Sequence, residues 1–534
     1  MRVLGYALIF ILITIACFWR FSNLNWGEPF FFHPDERNIA SSVSQLKFPT
    51  NLHPHFFAYG TFPIYIIYVS SLLWKALQPI VSFETAILVS RAYSAILSIL
   101  LTIFVFIVGK QIKNTTTALF AFTLSIFSVG LIQFAHLGTF EMWLSFEFLL
   151  LFYFLNKFLS TKKRIYGLGS SVTLGLLLST KVSSFAIVPL FASAIVFAYR
   201  KRLCSLVSHL LLFFFVASGV FISTSPFAVL DYPGFFSSIQ YEASVALGRL
   251  PVFYTEVFIG AIPVVFQFTH VYPFLFNPIL SFLLIPSFLY VSYVAFKRRD
   301  PGLFLLVGFF ASLFFSQAFL FAKWTRYMVP TLPFAYLMIA ISVSDFLRLL
   351  AKEYNDAKTQ PARYCNYISI IAVSVIGVVS IGYALSYVIT VHLKKDVRIQ
   401  AAQWAKNHIS LNASIATEAY DLGILPFNSL FSNITLLNTY QLEQDDIVPN
   451  LETFDYIILP SQRVIASRLI NPNVFPKGHS FYQNLFDEKS GFKKVYETPC
   501  DLWCNILYLG DPTFRFEQTA NIFDRPQVLI FKRV

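Results

Sequence analysis

The chain has 534 residues, of which 56% are hydrophobic, 18% aromatic and 13% charged. A soluble domain carries about 25% charged residues, so this composition excludes an ordinary soluble protein and indicates an integral membrane protein. The net charge of +12 comes from basic clusters between apolar segments, which is a topology signal and not a sign of nucleic-acid binding.

Successive apolar runs predict a bundle of membrane-spanning helices. The lipid interior cannot form hydrogen bonds with backbone N–H and C=O groups, and a helix satisfies these groups internally. The first run, residues 3–19, follows Arg2 and has no small-residue cleavage site, so we expect a retained anchor. Further spans are expected at about 92–109, 115–135, 142–156, 165–180, 182–199, 203–224, 273–296, 301–322, 327–347 and 366–391. With the anchor, about 11 crossings are predicted.

Basic residues cluster between these spans, at 110–113, 157–164, 200–202, 297–299 and 348–363. The positive-inside rule assigns these clusters, and the N-terminus, to the cytoplasmic side of the cell membrane. The same alternation assigns four regions to the outer side: residues 20–91, 136–141, 225–272 and everything after about 392. A crossing at residues 61–74 would reverse this order, so we expect that apolar stretch to lie as a helix in the outer interface.

The chain changes character after residue 391. Short alternating apolar runs such as YIILP and VLIFK, turn signals such as NPN and GDP, and balanced charges indicate a small mixed α/β domain. We therefore divide the chain into a transmembrane domain, 1–391, and an extracytoplasmic domain, 392–534. Cys500 and Cys504 lie in the outer domain, where they either form a short-loop disulfide or remain two buried thiols.

The first outer loop contains HPDERN, residues 33–38, which is rich in ionisable side chains. Pro34 restricts the backbone that precedes Asp35 and Glu36. These acids are either solvated loop residues or members of a site.

Two glutamates follow in the second outer loop and its span. Glu141 begins a helix, where a carboxylate is a natural partner of the helix dipole as well as a candidate site residue. Glu147 lies deeper in the apolar run. Because a charge at mid-membrane costs about 2.5 to 3.5 kcal/mol on insertion scales, Glu147 is expected to face a cavity or partner, or to be protonated and structural.

Three basic residues are assigned to the outer side. Lys181 lies at the junction of two spans, where it either snorkels to the interface or serves a site. Lys323 and Arg326 lie in FAKWTRYMVPTLPF at another outer boundary. A bound anion would explain these cations. With the acids, they suggest transfer from a lipid-linked phosphate, in which a carboxylate deprotonates a hydroxyl and cations neutralise the departing phosphate.

Several segments then fit one family in order and spacing: FFHPDERNIA, YGTFPIYIIY, RAYSAILSIL, QFAHLGTFEMWL, STKVS, SPFAVLDYPGFFSSIQYEASVALG, RYMVPTLPF and, near the end, GDPTFRFEQTANIFDRPQVLIFK. Together they resemble GT-C superfamily glycosyltransferases, in the branch of the dolichyl-phosphate-mannose protein mannosyltransferases and the lipid A aminoarabinose transferase. The resemblance covers most of the chain. It implies a polyprenyl-phosphate sugar donor, reaction at the outer face, and inversion at the sugar carbon.

The resemblance also implies roles for individual residues. Asp35 matches the general base, and Glu36 accompanies it in the catalytic set. Glu141 joins that set where the family usually has an aspartate, which leaves its role in acceptor or metal contact open. The expected substrate-binding residues are His33, His136, Lys181, Tyr241, Lys323 and Arg326, of which the three cations would hold the donor phosphate.

The outer loops of the membrane half contain no DxD pair, so we expect no divalent metal and no other cofactor, since the opposing cations can balance the charge. The expected partners are a polyprenyl-phosphate-linked sugar, an acceptor protein, glycan or lipid, and membrane lipids. Two other functions remain open. One is a transporter or flippase of a lipid-linked anion, which should show internal repeats; the other is a non-catalytic membrane assembly factor.

Overall fold

The computed structural model of the protein describes residues 2–74, 81–356, 360–444 and 450–534. The last basic cluster, 348–363, falls partly outside these residues. The described chain is helical up to His392, and a five-stranded sheet follows in the C-terminal part. The predicted fold class, a multi-pass helical membrane protein with a small C-terminal α/β domain, is confirmed.

The membrane half is built almost entirely from helices. They are α1 (Arg2–Phe21), α2 (Pro34–Gln45), α3 (Phe62–Trp74), α4 (Phe83–Ile112), α5 (Thr115–Ile126), α6 (Val129–Gln133), α7 (Glu141–Thr161), α8 (Arg164–Thr180), α9 (Val188–Tyr199), α10 (Leu203–Thr224), α11 (Phe227–Leu230), α12 (Tyr232–Ala246), α13 (Tyr272–Leu275), α14 (Pro278–Arg298), α15 (Pro301–Ala318), α16 (Leu332–Asp356) and α17 (Gln360–Tyr387). Short 3₁₀ turns cover Val182–Ile187, Phe253–Phe258 and Thr325–Thr331, and π-helical turns cover Gln267–Val271 and Val388–His392.

Within the described residues, 8 helical stretches are long and apolar enough to cross a membrane: Phe83–Ile112, Glu141–Thr161, Val182–Tyr199, Leu203–Thr224, Pro278–Arg298, Pro301–Ala318, Thr325–Leu350 and Ile371–His392. Each coincides with an expected span. The other expected crossings fall on α1, on α5 with α6, and on α8, so the count of about 11 crossings stays a prediction.

The span expected at 115–135 is broken into α5 and α6. Phe127 ends α5, and the Ser128 side chain caps α6 by accepting a hydrogen bond from the Leu131 N–H at 3.2 Å. The break leaves carbonyl oxygens of α5 without helical partners. The buried Arg20 guanidinium of α1 donates to the Ser125 and Ile126 oxygens at 3.1 and 3.3 Å. One arginine therefore supplies hydrogen bonds to the free carbonyl oxygens at the end of α5. The pattern of apolar residues gives no sign that a helix ends there.

The apolar stretch expected in the outer interface forms the helix α3, with 13 residues. At 1.5 Å per residue it is about 20 Å long, which is shorter than the hydrocarbon core of about 30 Å. Its length agrees with an interfacial position, and its depth in a membrane remains a prediction.

The C-terminal domain has strands β1 (Ile415–Glu418), β2 (Ile434–Leu437), β3 (Tyr456–Leu459), β4 (Phe492–Glu497) and β5 (Leu529–Arg533) in the order β2-β1-β3-β5-β4. Strand β1 pairs in parallel with β2 and β3, whereas β5 pairs antiparallel with β3 and β4. Strands β1 and β3 are buried along their whole length, as parallel strands covered on both faces should be. The helices are α18 (Val397–His408), α19 (Leu425–Asn428), α20 (Ile465–Ile470), α21 (Pro476–Phe486) and α22 (Leu502–Leu507). Cys500 and Cys504 form a disulfide.

The C-terminal domain is docked on the membrane half by buried polar contacts. Asp524 Oδ2 accepts hydrogen bonds from Tyr387 Oη at 2.7 Å and from Gln133 Nε2 at 2.8 Å. The Arg398 guanidinium lies 3.7 Å from the centroid of the Phe32 ring. Because each contact joins the two halves, the tail forms a wall of the membrane part. We retain 1–391 and 392–534 as the proposed domains.

Candidate functional site

Asp35 lies in the first turn of α2, at one end of the helix bundle. Pro34 is the first residue of the helix, where its missing N–H leaves no backbone bond unmade. His33 caps the helix, because its Nδ1 accepts a hydrogen bond from the Asp35 N–H at 3.2 Å. HPDE is therefore a helix start, and the positive end of the helix dipole faces the carboxylate.

Asp35 forms an ion pair with Arg326, which lies in the 3₁₀ turn Thr325–Thr331. Arg326 Nη1 donates to Asp35 Oδ2 and, at 2.9 Å, to the Tyr59 hydroxyl oxygen. The Tyr59 hydroxyl donates to the same Asp35 oxygen at 2.9 Å. Burial opposes ionisation of Asp35, but Arg326, His33 and Tyr59 outweigh it and lower the pKa of Asp35 to about 2. Asp35 is therefore an ionised but weak base while Arg326 holds it.

Lys181, the residue after α8, presents its ammonium to the same group of side chains. The ammonium nitrogen lies 5.1 Å from the centroid of the Tyr59 ring and 5.4 Å from that of Tyr327. No described residue offers this ammonium a hydrogen-bond acceptor. Burial lowers the pKa of Lys181. A cation held by aromatic rings, with its three donors unused, is suited to an anionic ligand.

Gly60 allows the first outer loop to approach Lys181 closely. The Gly60 N–H donates to the Thr180 carbonyl oxygen at 3.0 Å, and a Cβ at this position would collide with the Ser179 carbonyl. A side chain at residue 60 would therefore separate Tyr59 from Lys181.

A cavity of about 700 Å³ lies between the ends of the membrane helices and the C-terminal domain, and it is lined by Asp35, Tyr59, Lys181 and Arg326. All four regions that the charge pattern assigns to the outer side contribute to its lining, through His33, Leu137, Tyr241 and Arg463 among others. Most of the remaining lining is apolar or aromatic, from residues 56–59, 181–186, 239–247, 316–327 and 517–523. The cavity therefore combines a charged end with apolar walls.

Glu36 lies beneath the cavity, where its carboxylate is fully engaged. Arg91 Nε and Nη2 donate to its two oxygens at 2.8 and 2.7 Å, and the Gly138 N–H donates to Oε1 at 2.5 Å. Both side chains of the ion pair are buried. Because both carboxylate oxygens are hydrogen-bonded within the protein, this geometry lends no support to the catalytic role expected for Glu36, which stays a prediction. Its carboxylate ties the first two outer loops to α4.

Glu141 is the first residue of α7 and is 2% exposed. Neither of its carboxylate oxygens has a hydrogen-bond partner in the described part of the chain. It interacts electrostatically with Lys181 and Arg326. It therefore lies close to the cations behind the cavity wall, and its catalytic role stays a proposal.

Glu147 lies on the same helix, deeper in the bundle. Its Oε1 accepts a hydrogen bond from the Thr180 hydroxyl at 3.0 Å, while Oε2 has no partner among the described residues. Thr180 immediately precedes Lys181, so Glu147 contacts the end of the helix that presents the cation.

Two residues expected to bind substrate, Lys323 and His136, are engaged with backbone carbonyls instead of lining the cavity. Lys323 Nζ donates to the carbonyl oxygens of Leu320 and Phe321 at 2.7 and 3.3 Å, in the loop that follows α15. The two nitrogens of the His136 ring each lie 2.8 Å from a carbonyl oxygen, and the ring stacks on His392 at 3.5 Å. Neither residue lines the cavity, so the geometry lends no support to their expected roles, which stay predictions.

His33 and Tyr241 do line the cavity, as expected. The His33 ring packs 4.1 Å from the Phe523 ring of the C-terminal domain. Tyr241 lies on α12 and is 48% exposed.

Three further cavity residues, Tyr59, Glu242 and Arg463, were not singled out by the sequence pattern. Tyr59 and Glu242 lie within segments that resemble the family, YGTFPIYIIY and SPFAVLDYPGFFSSIQYEASVALG, so a search of those segments for ionisable side chains would have found them. Arg463 follows β3, far from any motif, and had no such signal. The described residues contain no group of three or more His, Cys, Asp or Glu side chains that could hold a metal ion.

No protein-family model matches the chain, and no curated protein matches it in sequence. Solved structures nevertheless have a similar fold. For the oligosaccharyltransferase of Archaeoglobus fulgidus in the apo form, the TM-score is 0.54 at 12% identity, over 99% of this chain and 88% of that chain. For the same organism's AglB in complex with an inhibitory peptide and a dolichol-phosphate, it is 0.51 at 13% identity, over 100% and 89%. This chain therefore has the fold of that archaeal oligosaccharyltransferase.

A further similar structure is that of ArnT from Cupriavidus metallidurans in the apo state, with a TM-score of 0.48 and 13% identity over 99% of this chain and 98% of that chain. The structural match to the archaeal oligosaccharyltransferase spans 99% of this chain, so it extends over the C-terminal domain as well as the membrane half.

Proposed function

We propose that this GT-C chain is an inverting glycosyltransferase of the cell membrane that transfers a monosaccharide from a polyprenyl-phosphate carrier to an acceptor hydroxyl. The observation that carries the proposal is the meeting of one carboxylate, Asp35, with two cations, Lys181 and Arg326, in a cavity with apolar walls. Apolar walls suit a prenyl chain, and the cations suit its phosphate. The A. fulgidus AglB complex contains a dolichol-phosphate, which supports a lipid phosphate as ligand of a chain with this fold.

The proposed reaction breaks one bond and forms one bond at the sugar carbon. Asp35 accepts the proton of the acceptor hydroxyl as the hydroxyl oxygen attacks the anomeric carbon. The bond from that carbon to the phosphate oxygen breaks, and the electron pair leaves with the polyprenyl phosphate. Lys181 and Arg326 neutralise the leaving phosphate. Attack from the face opposite to the phosphate gives inversion.

The ion pair between Asp35 and Arg326 couples the base to the donor. A bound phosphate competes with Asp35 for the Arg326 guanidinium. When Arg326 turns to the phosphate, burial dominates and the pKa of Asp35 rises from its low value. Asp35 therefore becomes an effective base only when the donor is present.

Transfer is favoured over transport by the position of the charged groups. Asp35, Glu141 and Lys181 lie at the ends of α2, α7 and α8, and Arg326 lies in the turn before α16. A transporter site is expected near mid-depth, between interrupted helices of two repeats. We propose that this end of the bundle and residues 392–534 are extracytoplasmic, with the N-terminus cytoplasmic.

The proposed reaction does not require a divalent metal, because Lys181 and Arg326 supply the positive charge at the leaving group. Turnover that persists after dialysis against EDTA would support this part of the proposal. Turnover that is lost in EDTA and restored by Mg²⁺ or Mn²⁺ would contradict it.

The test of the function uses the full-length protein in lipid nanodiscs and a panel of radiolabelled polyprenyl-phosphate sugars. Candidate acceptors are peptides, glycans and lipids, and the readout is label that leaves the donor lipid. We expect transfer from at least one donor, with loss of transfer in Asp35→Asn. A protein that transfers no label but moves the intact lipid across the bilayer would be a flippase.

A further inference from the structure

We propose that Arg463 forms a second oxyanion subsite of the cavity, which takes a phosphate or carboxylate group of a ligand on the side of the C-terminal domain. The inference rests on the proposed function and names a further chemical feature of its substrates. The anion is either a second phosphate of the donor lipid or an acidic group of the acceptor, and the experiment below separates these sources.

Arg463 is placed by two loops that are tied together. The Ser461 hydroxyl donates to Asp421 Oδ2 at 2.5 Å, and the Arg463 N–H donates to the Ser461 oxygen at 3.2 Å. Asp421 Oδ1 in turn accepts from the Gly423 N–H at 2.8 Å. Asp421 lies in the loop after β1 and Ser461 in the loop after β3. The backbone that carries Arg463 is therefore fixed before any ligand binds.

The place of these loops in the sheet is a usual one for a ligand. Strands β1 and β3 are parallel neighbours, and β2 lies on the other side of β1. The order of the strands therefore reverses between β1 and β3. In open α/β sheets, ligands bind in the crevice at the carboxyl ends of the strands where the order reverses. Arg463 lies after β3, at this crevice, and its side chain also lines the cavity of the membrane half.

The guanidinium of Arg463 is oriented but largely unused. It lies 5.2 Å from the centroid of the Phe253 ring and 5.8 Å from that of Tyr254. Its Nη1 donates to the Tyr420 carbonyl oxygen at 3.2 Å, and the described chain gives it no other acceptor and no ion pair. Aromatic rings hold an arginine without consuming its donors. The free N–H groups match the oxygens of a phosphate or carboxylate.

Tyr420, which supplies that carbonyl, has a left-handed backbone with φ of 64°. Such a conformation costs free energy for a residue with a side chain, and it persists where the surrounding structure enforces it, commonly at functional sites. The Tyr420 side chain is 65% exposed, so burial of its ring does not explain the conformation. The turn directs the Tyr420 carbonyl to Arg463.

The other two cations of the cavity differ from Arg463 in their partners. Arg326 is paired with Asp35, and Lys181 is held by the Tyr59 and Tyr327 rings near Glu141. Arg463 interacts electrostatically with Asp421 and, less strongly, with Asp35, and among the described residues it forms an ion pair with neither. The three cations therefore offer two places for negative charge: one beside Asp35 and one at the wall formed by the C-terminal domain.

The experiment measures binding to the full-length protein in nanodiscs, with three sets of probes. Undecaprenyl phosphate reports the site of Lys181 and Arg326, and undecaprenyl diphosphate adds a second phosphate. Glucuronate and glucose, added in the presence of undecaprenyl phosphate, form a soluble pair that differs by a carboxylate. The variants are Arg463→Gln and Arg463→Lys, with Arg515→Gln as a matched control, since Arg515 is exposed and does not line the cavity.

We expect Arg463→Gln to bind undecaprenyl phosphate within about twofold of the wild type, because one lost hydrogen bond at a distant wall changes little. We expect the variant to bind one of the two anionic probes about 10- to 100-fold more weakly than the wild type, which is the usual effect of losing a charged hydrogen-bonding group. A loss with the diphosphate lipid assigns the subsite to the donor. A loss with glucuronate, but not glucose, assigns it to the acceptor. Arg463→Lys should be intermediate, because it keeps the charge without the two-pronged donor set.

The proposal is overturned if Arg463→Gln binds every probe as the wild type does. It is also overturned if the wild type binds undecaprenyl diphosphate no more tightly than undecaprenyl phosphate and glucuronate no more tightly than glucose. Failure of the proposed function looks different, because its readout is the absence of transfer from every polyprenyl-phosphate sugar, whereas the subsite is tested by binding alone. If the thermal unfolding of Arg463→Gln shows damage, Phe253→Leu replaces it. That variant removes the ring under the guanidinium, and unchanged anion binding in it and in Arg463→Lys would equally exclude the subsite.

Discussion

Arg326 and Asp35 are 291 positions apart in the sequence and form an ion pair in the cavity, where both side chains are about a quarter exposed. The pair joins the first outer loop to the turn before α16. Because the Tyr59 hydroxyl bonds to both partners, the three groups form one closed unit. The chemistry proposed for the cavity depends on how this unit opens when a phosphate arrives.

Asp35→Asn should lower transfer by about 10²- to 10⁴-fold, which is the usual contribution of a general base. Binding of undecaprenyl phosphate should be retained or tightened, since the amide no longer competes for Arg326. The measurements are single-turnover transfer and lipid binding in nanodiscs. Asp487→Asn is the control, because that carboxylate is 41% exposed and its ion pair in the described part of the chain is with the nearby Lys489. Full turnover in Asp35→Asn would remove Asp35 from the reaction.

The pH dependence of transfer should change when Arg326 is replaced. The pKa of Asp35 is about 2 while Arg326 is its partner, below its ordinary value of 3.8, so the acid limb of kcat/KM lies below the practical range. In Arg326→Gln, burial is no longer outweighed, and the limb should move up into the measurable range. A profile without an acid limb in this variant would show that Asp35 is not the titrating base.

The lowered pKa of Asp35 also predicts how the stability of the folded protein changes with pH. Because the pKa of Asp35 is lowered by folding, its ionised form stabilises the native protein above about pH 4, and this contribution is lost as the pH falls towards 2. Arg326→Gln should therefore show a weaker loss of stability between pH 4 and 2 than the wild type. Thermal unfolding followed by tryptophan fluorescence over that range provides the comparison.

Apolar runs and basic clusters predicted the helical membrane fold, because length and hydrophobicity alone determine which segments suit a bilayer. The same signals could not show that α5 ends at Phe127, since the freed carbonyls are satisfied by Arg20 from a distant helix. They also could not show that α4 begins at Phe83, where the capping residue Ser82 and the first-turn Glu84 extend it beyond the apolar run.

The site was predictable where a local motif carries the chemistry and not where partners decide it. HPDE singled out Asp35, whose side chain lines the cavity, but whether Glu36 is free depends on Arg91, which belongs to another helix. Lys323 and Arg326 are close neighbours in sequence, yet one ammonium bonds to backbone carbonyls and the other cation faces Asp35. Such differences arise from packing, and sequence position does not report them.

Lys181 and Lys323 therefore form a matched pair for a test of donor binding. Lys181→Gln should weaken binding of undecaprenyl phosphate by about 10- to 100-fold, because an unpaired cation facing the phosphate is lost. Lys323→Gln should leave that binding unchanged and lower the thermal stability, because its ammonium holds backbone carbonyls of Leu320 and Phe321. Equal losses of lipid binding in both variants would contradict the assignment of the two lysines.

Glu36→Gln should act on stability and not on chemistry. Removal of one partner from a buried ion pair costs about 3 to 5 kcal/mol, since the other charge remains buried. The double variant Glu36→Leu with Arg91→Leu should recover part of this loss in the free energy of unfolding. Transfer per folded molecule should stay within a few-fold of the wild type in Glu36→Gln. A defect in kcat with unchanged stability would restore the catalytic role first expected for Glu36.

Tyr59 offers a way to separate base positioning from donor binding within one side chain. Its hydroxyl bonds to Asp35 and Arg326, whereas its ring lies against the Lys181 ammonium. Tyr59→Phe removes only the hydroxyl, so we expect kcat to fall about tenfold, as for loss of a hydrogen bond to a charged group, with little change in lipid binding. Tyr59→Leu removes the ring as well and should also weaken binding of undecaprenyl phosphate. Tyr65→Phe is the control, because the Tyr65 hydroxyl donates to the Leu52 carbonyl oxygen outside the cavity. If Tyr59→Phe and Tyr59→Leu lower kcat and lipid binding to the same extent, the hydroxyl and the ring do not have separate roles.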